Sequence, residues 1–264
     1  MARNFHSAPA AEDEPGPTDA LFVQSLARGM SVLEAFRGAE GPLSLAQIAA
    51  RSGMTRSAAQ RLVHTLRRLG YLIQAEDGRG FRPHLPILDL THDFMRLNPL
   101  VRRANPILLE LRRSVRERVD LSLFDGQRMV YVTRMQSKRE TFFATLVGKS
   151  VPVTGSSGGW AVLAMLPPAE ADAILAQAPL HPVTPRTLTD PDAIRAQLAL
   201  VRETGHALAL EQMLMGEVAL GVAIPDASGR PVGAIHIVAS LSEWEPEEFR
   251  RRVAPLAAEA VRSI

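Results

Sequence analysis

Two stretches of this 264-residue sequence hold side chains whose types and spacing could do chemistry. In the first, Thr55, Arg56, Ser57, Gln60, Arg61 and His64 follow one another closely. Arg forms paired hydrogen bonds with guanine or phosphate, and Gln does so with adenine, so this set suits a DNA duplex. Ser44 upstream and Arg79 downstream add a hydroxyl and a cation. The second stretch is Gly155-Ser156-Ser157-Gly158-Gly159. Backbone N–H groups left free at a helix start, with hydroxyls beside them, favour a carboxylate. The same five residues also fit the Gly-x-Ser-x-Gly pattern of a hydrolase. Ser157 would then attack, with His206 or His236 as base and Asp190, Asp192 or Asp226 as orienter. A plainer reading is that Ser156 or Ser157 only caps a helix.

Other chemistries are excluded or unsupported. The chain has no Cys, which rules out disulfides and thiolate metal sites. Its seven His residues have no metal-ligand spacing, so neither a metal nor another cofactor is expected.

The first set needs elements to position it. Ser44 precedes a short helical run, Leu45 to Ser52, with Ile48 and Ala49 facing inward. Gly53 supplies a turn and Thr55 caps a second helix, Arg56 to about Leu69. Ala58, Ala59, Leu62, Val63, Leu66 and Leu69 follow helical spacing and are expected to be buried, leaving the polar set outside. Beyond Gly70, Tyr71-Leu72-Ile73-Gln74 and Phe81-Arg82 flank an Asp77-Gly78 turn, a strong hairpin signal that places Arg79 at the tip. Two helices, a tight turn and a hairpin in this order read as a winged helix-turn-helix, whose second helix enters the major groove of double-stranded DNA.

The chain is long enough for two modest domains, and 46% hydrophobic residues is a globular composition. Net charge is only +2, but residues 21–96 carry ten Arg against six acids, as phosphate contact requires. No apolar run reaches the roughly 18 residues that span a bilayer, and no export signal opens the chain, so a cytoplasmic protein without membrane contact is expected. Residues 1–19, rich in Ala, Pro and acids, read as a disordered tail. Residues 20–83 form the winged helix-turn-helix, opening with an amphipathic helix, Phe22 to Phe36. Its stripe of Phe22, Leu26, Met30, Leu33 and Phe36 is expected to pack on the next two helices. Residues 84–98 hold a linking or dimerising helix.

From residue 99 to 264, strands and helices mix as in an α+β domain with a mainly antiparallel sheet. The expected elements are a helix from Val101 to Arg118, strands at 121–124, 129–133, 141–146, 218–224 and 232–240, and helices at 160–165, 170–177, 192–203 and 245–264.

Several of these segments resemble the IclR-type bacterial transcriptional regulators. They are Phe22-Val23-Gln24-Ser25-Leu26-Ala27-Arg28-Gly29, Thr55-Arg56-Ser57 with Arg61-Leu62, Gly205-His206-Ala207-Leu208 and Pro225-Asp226-Ala227-Ser228-Gly229-Arg230. The similarity covers residues 21–262 and is strongest to the branch regulating aromatic-acid catabolism. It implies a winged helix, a linker helix and a C-terminal effector-binding domain similar to GAF domains. It also implies homodimers or homotetramers that repress or activate at a palindromic operator.

The resemblance further implies an effector pocket lined by Thr154, Gly155, Ser156, Ser157, Gly158 and Trp160, together with Glu211, Met213, Val218 and Ala219. Here the sequence departs from the family. Gly158-Gly159-Trp160 stands where Met-Gly-Arg is usual, so an indole replaces a cation. Residues 209–215 replace an acidic segment, and Gly216-Glu217-Val218-Ala219 replaces Gly-Leu-Arg-Ser or Gly-Leu-Arg-Cys. A small organic acid, aromatic or fairly apolar, is the expected effector, Trp160 and Met213 giving adaptable contact area. Met213, Leu214 and Met215 read equally well as core or interface residues. The alternatives are a DNA-binding regulator with no ligand, or the serine hydrolase, for whose usual large parallel sheet the second domain is too short.

Overall fold

A computed structural model describes residues 20–136 and 147–264. The expected tail and the strand-like run 141–146 lie outside the described residues. Contacts divide the described chain into two compact units between Leu97 and Asn98.

In the first unit α1 spans Gln24–Glu34, α2 Leu45–Arg51 and α3 Arg56–Arg68. Ser44 caps α2 in a full capping box: its hydroxyl accepts from the Gln47 N–H, and the Gln47 side chain accepts from the Ser44 N–H at 2.9 Å. Thr55 caps α3, accepting from the Ala58 N–H. Gly53, at φ +66°, makes the turn between them. The hairpin pairs β1 (Leu72–Gln74) with β2 (Phe81–Pro83), and Leu43 bridges to Phe81. Val32, Ile48, Val63, Leu66 and Leu72 form the core. Helix α4 covers Pro86–Leu97.

Two expectations fail here. Leu69 is exposed, because it is already the C-cap where the chain leaves α3 through Gly70 at φ +82°. Phe22, Leu26 and Met30 are exposed too. The side of α1 that meets the core is instead carried by Val32 and Ala35, with Leu33 and Phe36 beside them.

The second unit holds one antiparallel sheet in the order β5-β4-β3-β8-β7-β6 among the described residues. Its strands are β3 Arg118–Phe124, β4 Arg128–Met135, β5 Ser150–Pro152, β6 Ala207–Leu210, β7 Glu217–Pro225 and β8 Pro231–Ser240. Helices α5 (Pro99–Val115) and α9 (Pro246–Ser263) pack on one face; α6 (Ser157–Met165) packs on the other, next to α7 (Pro168–Gln177) and α8 (Pro191–Thr204). Helix α5 runs through Pro106 without a break and ends at Arg116, which takes φ 60° as a left-handed cap. Arg118, expected at the end of this helix, is therefore the first residue of β3. Helix α6 starts three residues before the expected Trp160, because Ser156 caps it through the Gly159 N–H at 3.1 Å.

Candidate functional site

In the first unit, Arg56, Ser57, Gln60, Arg61 and His64 are all exposed along α3. With Leu45, Arg67 and Phe81, most of them line a groove between the helix and the wing strand. The wing is locked locally. Asp77 accepts from the Arg79 N–H at 3.0 Å, the Gln74 amide donates to the Gly78 carbonyl at 2.9 Å, and Gly78 takes φ +70°. Arg79 is left exposed at the tip, as the sequence suggests. Arg51 is spent elsewhere: it donates to the Ala35 carbonyl at 2.9 Å, just past α1. Arg67, not singled out by sequence, lays its guanidinium over the Phe81 ring.

In the second unit, side chains alternate along each strand, so one residue type set faces α6 and the other faces α5 and α9. Arg118, Asp120 and Ser122 on β3 face α6, with Tyr131 on β4, Glu217 and Ala219 on β7, and His236 on β8. These residues, apart from Asp120 and Ser122, line a cavity of about 30 Å³ with Ser156, Ser157 and the 211–213 loop. Arg118 is its charged centre. Its Nε donates to Asp120 at 3.1 Å, and one terminal nitrogen donates to Glu217 at 2.8 Å. Arg134 approaches the other Asp120 oxygen at 3.5 Å. Burial works against the Arg118 charge, but Asp120 and Glu217 outweigh it and hold the guanidinium above its ordinary value. Burial raises the Tyr131 phenol, and Asp120 adds to the shift, so its hydroxyl keeps its proton.

His236 lies under the cavity, fully buried. Its Nε2 is 2.6 Å from the Ser122 hydroxyl and its Nδ1 is 3.4 Å from that of Ser157. Burial, with Arg118 adding, holds this imidazole down at about 3, so it is neutral. A base this weak, with a serine and not a carboxylate on its far nitrogen, is ill suited to activate Ser157. The expected orienters are engaged elsewhere. Asp190 caps α8, Asp192 pairs with Arg195, and Asp226 holds Ser228 and Arg230. His206 sits against the Thr204 carbonyl at 3.0 Å.

Of the residues expected to line a pocket, Ser156, Ser157, Glu211, Met213 and Ala219 do so. Trp160 does not. It is buried in the core with its indole N–H donating to the Thr154 carbonyl at 2.6 Å. Thr154 is thereby a core residue as well, and Val218 faces the opposite side of the sheet from the cavity-lining Glu217 and Ala219. Gly158 packs on the His236 ring, and a Cβ there would overlap it. Gly155 is buried, and the Met213 sulfur lies 3.8 Å from where its Cβ would stand. The loss of a cation at Trp160 suggests an apolar cavity, but Arg118 brings a cation from β3, and Glu211 and Glu217 bring acids.

The loop between β6 and β7 roofs the cavity and is tied down. Glu211 takes φ 55°, and its side chain accepts from the Gly216 N–H at 2.8 Å. The buried Gln212 amide donates to the Arg186 and Leu210 carbonyls at 2.8 and 3.0 Å and accepts from the Leu188 N–H at 2.8 Å. Thr184 and Thr187 donate to the Glu211 and Gln212 carbonyls.

Comparison with known proteins gives a consistent result. Residues 25–76 match the IclR helix-turn-helix domain, and residues 93–264 match the bacterial transcriptional regulator IclR C-terminal domain. The chain is 29% identical to the Pca regulon regulatory protein of Pseudomonas putida, over 100% of its own length and 90% of the relative's. It is 32% identical to the HTH-type transcriptional regulator Rv1719 of Mycobacterium tuberculosis, over 89% of this chain and 87% of that one. Among solved structures, an IclR homologue from Microbacterium hydrocarbonoxydans complexed with 4-hydroxybenzoate matches with a TM-score of 0.73 at 26% identity, covering 90% of this chain and 96% of the other. An exposed basic helix beside a wing, and a second unit matching the same family throughout, lead to one conclusion: the chain belongs to the IclR family of bacterial transcriptional regulators.

Proposed function

We propose that this regulator binds a palindromic promoter site as a homodimer or tetramer, and that a small organic acid, aromatic in character, controls that binding without being turned over. The row of Arg56, Ser57, Gln60 and Arg61 exposed at the start of a capped helix carries the DNA reading. Ser44, Thr55, His64 and Arg79 support it from the caps, the helix and the wing tip. Apolar surface left on α1 and just before it (Phe22, Leu26, Met30) and on α4 (Leu88, Leu90, Phe94, Leu97) suits contact with a second copy. The aromatic acid follows from the relatives, a Pca regulon regulator and a homologue that holds 4-hydroxybenzoate. Binding to a promoter, as the helix-turn-helix match implies, is what supports a cytoplasmic protein; no described helix is long and apolar enough to cross a membrane.

Footprinting on DNA flanking the gene, with and without aromatic acids, tests the reading. A protected palindrome that shifts or clears with an acid is expected; no protected site sinks it. A second reading, regulation without a ligand, is favoured by one observation: a cavity of about 30 Å³ holds little more than a water molecule.

A further inference from the structure

We propose that the effector inserts into the Arg118–Glu217 ion pair, and is therefore an acid that also carries a hydrogen-bond donor such as a hydroxyl or amine. Its carboxylate takes the place of Glu217 on Arg118, and its donor group is received by Glu217. This rests on the effector-sensing reading above.

The two carboxylates on Arg118 are not equivalent. Asp120 lies between Arg118 and Arg134, so it stays neutralised if Arg118 turns partly to a ligand. Among the described residues Glu217 has Arg118 as its one ion-pair partner, and it lines the cavity. Opening this pair exposes a cation and an anion side by side, a two-sided receptor. Tyr131 lines the same cavity, and its hydroxyl has no hydrogen-bond partner among the described residues. It is a ready donor to a carboxylate seated on Arg118.

The charges around the cavity set the selectivity. Glu217 and Glu211 both line it beside Arg118. A simple acid would displace Glu217 and leave its charge unpaired against a second anion, which is costly in a partly buried site. A ligand donor removes that cost. Sites built to pair with a polar group reject analogues that lack it, because their own groups are then stranded.

Space comes from Met213. It is the long, unbranched apolar side chain in the lining, and its sulfur reaches towards Gly155. Three rotatable bonds let a methionine vacate its position without backbone change.

Isothermal titration of the full-length protein tests the proposal, with 4-hydroxybenzoate, 4-aminobenzoate, benzoate and phenol as probes. Wild type should bind one or both of the first two at least about tenfold more tightly than benzoate or phenol; which of the two binds separates a hydroxyl from an amine donor. Glu217→Gln should narrow the gap by improving benzoate. Tyr131→Phe should weaken the acids, and Met213→Ala should strengthen them. Thermal melts and retained operator binding establish that the variants fold. Equal affinity for benzoate and 4-hydroxybenzoate in wild type, or an unchanged ratio in Glu217→Gln, overturns the proposal alone. Failure of every acid to bind a protein that still holds its operator overturns it together with the acid-sensing reading.

Discussion

Arg67 holds its guanidinium over the Phe81 ring at 5.6 Å from the centroid, joining the DNA-reading helix to the second strand of the wing. Exposed contacts of this kind contribute about 0.5–1 kcal/mol. Phe81→Leu keeps an apolar side chain but removes the ring. It should weaken operator binding roughly two- to fivefold with the salt dependence unchanged. Arg67→Ala should also lower the salt slope, by about one if this cation contacts phosphate. Anisotropy titrations at several salt concentrations separate the two effects.

Arg56→Ala and Arg61→Ala remove exposed side chains, so the melting temperature should hardly move. Specific binding should fall by about 1–3 kcal/mol for a base contact. If both variants keep wild-type operator affinity, α3 does not read the site.

His236 makes stability fall in acid. Its folded pKa of about 3 lies below the ordinary histidine value, so between the two only the unfolded chain takes up the proton. The stabilisation is complete above about pH 6.5 and is lost as pH falls towards 3. Between pH 7 and 5 this group alone should cost about 2 kcal/mol. Urea unfolding at both values should show a smaller loss in His236→Gln than in wild type; equal losses would refute the assignment.

Gly159→Ala sets two effects against each other. Replacing glycine inside a helix usually gains up to about 1 kcal/mol. Here the added Cβ would overlap the Val153 carbonyl, a backbone group that cannot swing aside. Overpacking costs about 1–3 kcal/mol or more, so net destabilisation is expected, visible as a lower melting temperature. A stabilised Gly159→Ala would mean that α6 does not sit this close to Val153.

The DNA-binding half is legible because its signals are local. Ser44, Gly53, Thr55, Gly70 and the Asp77-Gly78 turn each act within a few residues, and each keeps its expected role. The cavity depends on packing between distant segments and is less legible. Arg116 ends α5 in a left-handed conformation with no glycine to announce it, so Arg118 reads as helical. One signal was available: Arg118, Asp120 and Ser122 alternate with Val119, Leu121 and Leu123, the period of a strand with a polar side. Gly158 and Gly159 read as loop because glycine is a poor helix former. Glycine is what the packing of this helix start admits: a Cβ on Gly158 would overlap His236 and Ala234 of β8, and one on Gly159 would overlap the Val153 backbone. The indole of Trp160 suggests a ligand platform, and only the fold shows that its N–H is already used.

Gln212 has a consequence for how the roof can move. Both its amide hydrogens and its oxygen are bonded, two of these bonds crossing to Arg186 and Leu188, while Thr184 and Thr187 return the link. A seam of four crossing bonds tears only at high cost, so the two segments should travel as one plate. A ligand that presses on the backbone of the roof at Glu211 or Gln212 would then pull on the strap that leads into Pro191, the first residue of α8. A push on one loop would thus be felt by a whole helix.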